Sequence, residues 1–151
     1  MFYMNRALSL HPDAEVVFFL GDGLYDADAL RAMDSRPRMW IAVKGNCDFH
    51  RLFDGREARR IEEITLEKRK ILLTHGDAFG VKGSLSSLES FARERGADIV
   101  LFGHTHIPCE RYVNEDRPMY FFNPGSISSG EYSYGILTLG ECVLFSHGRF
   151  A

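Results

Sequence analysis

Apolar residues arrive in short blocks, and most blocks stop at a glycine. Residues 16–20 (VVFFL), 39–43 (MWIAV), 71–73 (ILL) and 98–102 (DIVLF) are continuous apolar runs of strand length. Runs of that kind suit strands covered on both faces, as in α/β sheets. Between them the spacing turns helical. Tyr3, Ala7 and Leu10 fall at i, i+4, i+7 and predict a short helix ended by His11-Pro12. Asp26 is placed to cap a helix carrying Ala29, Leu30 and Met33, ending near Pro37. Ser84 or Ser86 is placed to cap another, with Leu85, Leu88 and Phe91 or Ala92 inward. Ser86 and Glu89 have capping-box spacing, and Gly96 closes that helix. Residues 56–74 read as a hairpin turning at Glu67-Lys68-Arg69. Residues 111–113, 119–122, 134–139 and 143–145 read as further β segments, with Asn123-Pro124-Gly125-Ser126 the sharpest turn between them.

Composition narrows the class. With 151 residues, 45% of them hydrophobic, the chain can bury one core without disulfide staples, and no linker or repeat divides it. It reads as one domain over residues 1–151. The net charge of −3 implies no phosphate-neutralising surface, so no nucleic-acid-binding role is expected. No apolar run approaches the roughly 18 residues of a membrane span. The three cysteines, Cys47, Cys109 and Cys142, never form a CxxC pair and suggest neither a disulfide framework nor a zinc-thiolate site. Free thiols, and an N-terminus without a long apolar stretch, predict the cytoplasm. A homo-oligomer is compatible with all of this.

The polar residues with chemistry collect directly after strands. Four loops, Gly21-Asp22, Gly45-Asn46, His75-Gly76 and Gly103-His104-Thr105-His106, each follow an apolar run. In α/β sheets ligands bind at the carboxyl ends of strands. Asp22, Asn46, His75, His104 and His106 are therefore expected to converge. Taken singly, each has a plainer reading. Asp22 would cap a helix, Asn46 would sit in a turn, and the histidines would be hydrogen-bonded structural residues. Together, one carboxylate, one amide oxygen and three imidazoles form an N/O set suited to Mn2+, with Ni2+, Fe or Zn2+ as alternatives. Such a centre can polarise a phosphoryl group and acidify water. His11, His50 and His147 read as surface or structural. The arginines and lysines of residues 51–70 alternate with Glu62, Glu63 and Glu67 and read as a solvated hairpin face.

The segments GDGLYDAD, GNCD, LLTHGD, LFGHTH and NPGS, in this order, resemble successive motifs of the calcineurin-like metallophosphoesterases, nearest to their small bacterial and archaeal phosphodiesterase branch. That resemblance implies a four-layer α/β/β/α sandwich with one or two metal ions at the sheet edge. It implies that Asp22 bridges the metals, that Asn46, His75 and His104 complete one site, and that His106 belongs to the second. Asn46 and His104 become the catalytic residues, with Asn46 facing the scissile phosphate of a phosphoester substrate. Cys47 stands where other branches carry a proton-donating histidine, which leaves the general acid unassigned.

One motif of the family has no counterpart. An opening strand ending in Asp-x-His supplies two ligands to the second metal, and no Asp-x-His precedes Asp22 here; His11 and Asp13 stand in reversed order. Relative to the family the chain starts about twenty residues late, roughly one strand and a loop. A central strand is then expected to be missing, leaving unpaired backbone groups in the sheet. Three explanations compete: a misassigned start or shortened chain, a degenerate homologue, or another segment or neighbouring protomer in the gap. The intact later motifs favour the first. A metal-dependent phosphodiesterase is the expected function, its activity doubtful without the missing motif. The alternative is a non-catalytic scaffold on the same fold, by analogy with the metallophosphoesterase-like subunit of retromer.

Overall fold

A computed structural model describes residues 1–50 and 52–151. The chain runs α1 (Phe2–Leu10), β1 (Val16–Phe19), α2 (Leu24–Met33), β2 (Met39–Ala42), a small hairpin of β3 (Leu52–Phe53) and β4 (Arg56–Glu57), then β5 (Ile61–Leu66) and β6 (Arg69–Thr74). A 3-10 turn at Asp77–Phe79 leads to α3 (Ser86–Glu94), β7 (Ile99–Phe102), β8 (Cys109–Val113), β9 (Met119–Asn123), β10 (Ser133–Leu139) and β11 (Val143–Arg149). Glu67 and Lys68 join β5 to β6 with φ of 46° and 61°. Two successive left-handed residues give the twist that a two-residue hairpin loop needs.

The main sheet has the order β5-β6-β7-β9-β8, with β6, β7 and β9 parallel and antiparallel strands at both edges. Strand alternation divides its residues between two cores. Leu72, Val100, Phe102 and Phe121 pack under Leu88 and Ala92 of α3. Ile71, Leu73, Ile99, Leu101 and Phe122 face the other way. They meet Phe18, Leu20, Ile41 and Val43 from the β1–β2 region and Leu137, Leu139, Val143 and Phe145 from β10 and β11. Behind β2, Leu24 and Ala27 of α2 form a third cluster with Ala42, Phe53 and Trp40. The layers are therefore α3, the five-stranded sheet, a second β layer, and the helices α1 and α2. This is the expected four-layer α/β/β/α arrangement.

The second β layer is in two pieces. β1 pairs with β2 in parallel and β10 with β11 antiparallel, and among the described residues no strand joins the two ribbons. Val16–Phe19 were expected to be covered on both faces. All four are only half-buried, as befits a strand with a neighbour on one side. Across the gap, Tyr3 of α1 stacks between Tyr132 and Phe150, and a cleft of about 250 Å³ opens there.

Two helix starts differ from the sequence reading. α2 begins at Leu24 after Gly23, so Asp26 lies inside its first turn and caps nothing; the helix ends at Met33, which is exposed. The Ser86–Glu89 capping box does not form. Ser84 Oγ instead accepts the Ser86 N–H at 3.1 Å. The hairpin charges pair as expected of a solvated face, Lys70 and Arg95 both reaching Glu63 at 2.7 and 2.9 Å.

Arg38 ties α1 to the rest of the molecule. Its guanidinium donates to both Asp34 oxygens at 3.1–3.2 Å and to the carbonyls of Ala14, Leu8 and His11 at 3.0–3.3 Å. Its side chain is 4% exposed. Burial raises the Asp34 pKa, but the Arg36 N–H, the Arg38 guanidinium and the Trp40 ring N–H outweigh it and hold the carboxyl below its ordinary 3.8. A depressed carboxyl stabilises the fold above its ordinary value and loses that contribution as pH falls through the depressed one. Arg38→Met is expected to cost about 2–4 kcal/mol in urea unfolding at pH 7, with a shallower loss of stability below pH 4 than in the parent. Equal acid slopes would contradict the assignment.

Candidate metal centre

The strands β1, β2, β6 and β7 deliver their following loops to one place, and the loops touch backbone to backbone. A Cβ on Gly21 would lie 2.6 Å from the Gly45 nitrogen and 2.8 Å from His75 Nδ1. A Cβ on Gly45 would lie 2.5 Å from the Asp22 nitrogen and collide with its carboxylate. Only glycine permits that approach. Asp22 and His104 are left-handed, with φ of 60° and 65°, a conformation uncommon outside glycine. Such outliers concentrate where surrounding structure holds them for a function.

His75 is the centre of the cluster. Its ring is nearly fully buried, and Nδ1 lies 2.7 Å from the Leu20 carbonyl oxygen. A carbonyl only accepts, so Nδ1 carries the proton and Nε2 presents a lone pair inward. Around Nε2 stand Asn46 Oδ1 at 3.1 Å, His104 Nδ1 at 3.1 Å and Asp22 Oδ2 at 3.2 Å. Burial first, and then the Lys82 ammonium, hold the His104 ring below its ordinary pKa, which favours the neutral ring. Four N/O donor atoms thus face each other with at most one proton among them, beside one negative charge. That is an unfavourable arrangement unless a cation joins it. The spacing fits one: ligands about 2.0–2.2 Å from an ion lie about 3.0–3.4 Å from each other. The possible ligand atoms of Asp22, His75 and His104 all fall within 4.8 Å of one another.

Of the five residues expected to converge, Asp22, Asn46, His75 and His104 meet. His106 is exposed, left-handed at φ 60°, and 3.3 Å from Ser129 Oγ. His147 donates to the Asn123 carbonyl, His11 pairs with Tyr134, and His50 meets the edge of Tyr25.

Two further residues support the site, the first of which, Asp48, was not foreseen from the sequence. Asp48 accepts the backbone N–H groups of Asp22, Gly23, Leu24 and Gly45, all at 2.8 Å. It thereby caps α2 from a distance and clamps the Asp22 loop to the Asn46 loop. Burial alone would raise its pKa, but these four donors hold it below the ordinary range. Asn123, fully buried, donates to the Gly103 carbonyl at 2.9 Å and to Thr105 Oγ1 at 3.0 Å, which fixes the loop bearing His104. Cys47 donates its backbone N–H to Asp22 Oδ1 at 2.8 Å. The Asp22 charge, with desolvation, pushes its thiol pKa up.

Two pairs of parallel strands thus bring an Asp, an Asn and two His to one edge of a four-layer sandwich. The family comparison agrees: the calcineurin-like phosphoesterase superfamily domain matches residues 2–141, and the chain belongs to that superfamily. Divalent metal use goes with that family. Among curated relatives it is similar to the probable metallophosphoesterase YsnB of Bacillus subtilis, 39% identical over 66% of this chain and 57% of the relative. It is also similar to the phosphodiesterase YfcE of Escherichia coli K12, 31% identical over 78% of this chain and 62% of the relative. The chain spans about three-fifths of the length of these relatives. A predicted phosphoesterase of Streptococcus pneumoniae TIGR4 shares the fold, with a TM-score of 0.76 over 98% of this chain and 82% of that one, at 24% identity. Among the described residues, no helix is long and apolar enough to cross a membrane.

Proposed function

We propose that the chain hydrolyses phosphodiesters at a divalent-metal centre, Mn2+ being the ion of choice, in the cytoplasm. Asp22, Asn46, His75 and His104 would hold one ion, and His106 would serve a second. A divalent cation bound there supplies positive charge to the phosphoryl oxygens and acidifies a water molecule. The chain's own residues do the rest. The Leu20 carbonyl keeps the proton of His75 on Nδ1 and its lone pair on Nε2. Asn46 Nδ2 donates one hydrogen to Cys47 Sγ at 3.2 Å, which turns Oδ1 toward the other donors and leaves the second amide hydrogen to orient a phosphoryl oxygen. His104 is the other residue that would orient the phosphate. The observation that carries this reading is the gathering of three N/O donor atoms around His75 Nε2, each 3.1–3.2 Å from it. The name of YfcE favours diesters over monoesters.

The test is turnover of bis(4-nitrophenyl) phosphate at neutral pH. Activity is expected on adding Mn2+ and is expected to disappear with a chelator. A second reading, a non-catalytic scaffold, is favoured by the divided β layer beside Asp22. Protein that holds Mn2+ yet shows no turnover would support that reading instead.

A further inference from the structure

A second opening lies at the end of the main sheet opposite the metal centre. Cross-strand register places Ile71, Ile99, Tyr120 and Tyr112 in one row on one face of that sheet. Under the second β layer the row is closed: Ile71 and Ile99 are fully buried, and the Tyr120 ring lies 5.8 Å from that of Phe145. At the edge strand the row comes into the open. Tyr112 rests on Tyr120, ring centroids 4.8 Å apart, and is 52% exposed. Arg69, Asp98, Tyr112, Arg117, Tyr120 and Val143 line a cleft of about 320 Å³ there. Arg69 opens β6, and His75 follows the last residue of that strand. At about 3.3 Å per residue the two stand about 20 Å apart.

The charges in the cleft do not balance. Asp98 is the only carboxylate among the described residues that line it. Both of its oxygens are engaged, Oδ1 by Arg117 at 2.7 Å and Oδ2 by the Lys70 N–H at 2.8 Å. Arg69 precedes Ile71 by two residues on β6 and so shares its face of the sheet, which brings its side chain to the cleft wall. Among the described residues its guanidinium makes no salt bridge or hydrogen bond, whereas Lys70 beside it is paired with Glu63. A guanidinium on a concave wall without a carboxylate favours an anion, and its fork matches phosphate bidentately. The exposed Tyr112 ring offers a flat face for stacking. The volume lies at the lower end of the roughly 300–1,000 Å³ of small-molecule pockets. A ligand that uses both features is therefore small and carries one planar ring and one anionic group.

We propose that this cleft is a second ligand site, for a nucleoside monophosphate whose base stacks on Tyr112 and whose phosphate pairs with Arg69. It is independent of the phosphoesterase reading and of any metal. Adenosine monophosphate is titrated calorimetrically into the full chain with a chelator present, which keeps divalent ions from the metal centre. Saturable binding of one equivalent is expected. Arg69→Met loses a charge-assisted pair and is expected to bind at least about tenfold more weakly. Tyr112→Thr keeps a β-branched residue on the edge strand but removes the ring, and is expected to bind about fivefold more weakly or worse. Asn46→Ala, altered at the other end of the molecule, is expected to stay within about twofold of the parent. Adenosine and ribose phosphate, each carrying half of the ligand, bind more weakly than the whole. A parent that shows no saturable binding overturns the proposal, as does equal affinity in the parent and Arg69→Met, or ribose phosphate binding as tightly as the nucleotide. Binding lost in Asn46→Ala but kept in Arg69→Met would put the nucleotide at the metal centre and overturn it as well.

Discussion

Asp48→Ala is expected to destabilise the protein by about 2–4 kcal/mol and to abolish tight metal binding. The carboxylate is the common acceptor for four backbone N–H groups, three from consecutive residues 22–24 and one from Gly45. Removing it strips α2 of its N-terminal cap, a loss of about 1 kcal/mol by itself. It also leaves part-buried donors unpaired, at about 1–3 kcal/mol for each one that water cannot reach. The larger effect is on the centre. Asp22 is left-handed because its own N–H and the two that follow converge on Asp48. Without that anchor the loop has no reason to keep Asp22 beside His75. Asp48→Asn isolates the charge. It keeps one acceptor oxygen but turns an NH2 toward N–H groups, so it is expected to fall between the parent and the alanine variant. Urea unfolding reads the stability change and calorimetric Mn2+ titration reads the site. A variant that loses stability but binds Mn2+ like the parent would show that Asp48 is only a helix cap.

Much of this architecture is legible in the chain. The apolar blocks at 16–20, 39–43, 71–73 and 98–102 became β1, β2, β6 and β7; the last two are hidden between layers as such runs predict, whereas Val16–Phe19 stay half-buried. The glycines after them marked the loops that meet, and Asp22, Asn46, His75 and His104 were found by position after a strand. Their lateral support by Asp48 was not. Asp48 lies two residues beyond Asn46, yet three of its four partners are about twenty-five positions upstream, and no local pattern announces a cap delivered from another loop. Ser86 and Glu89 had the right spacing for a capping box, but Ser84 took the Ser86 N–H first. His106 shows a further limit. Its i, i+2 relation to His104 suggests a shared direction only if the chain stays extended, whereas both residues are left-handed. Asn123 belongs to the turn that the family resemblance makes a buttress of the site, and it braces the His104 loop because β9 runs beside β7 and ends level with it.

His75→Ala is the variant on which the centre depends most. Its ring supplies the atom that all three other donors approach, and it is locked by a carbonyl from β1's end. Ligands oriented in this way lose affinity steeply when removed, and even their outer-sphere partners are worth about 10–100-fold. The cavity left by a nearly buried imidazole adds a stability cost of about 1–3 kcal/mol. The deciding measurement is the Mn2+ titration of parent and His75→Ala, with free Mn2+ followed by its electron paramagnetic resonance signal. The account predicts at least one tight equivalent in the parent and at least about a hundredfold weaker binding in a folded His75→Ala. Equal affinity in the two proteins, or a folded parent that leaves all the Mn2+ in solution, would contradict it.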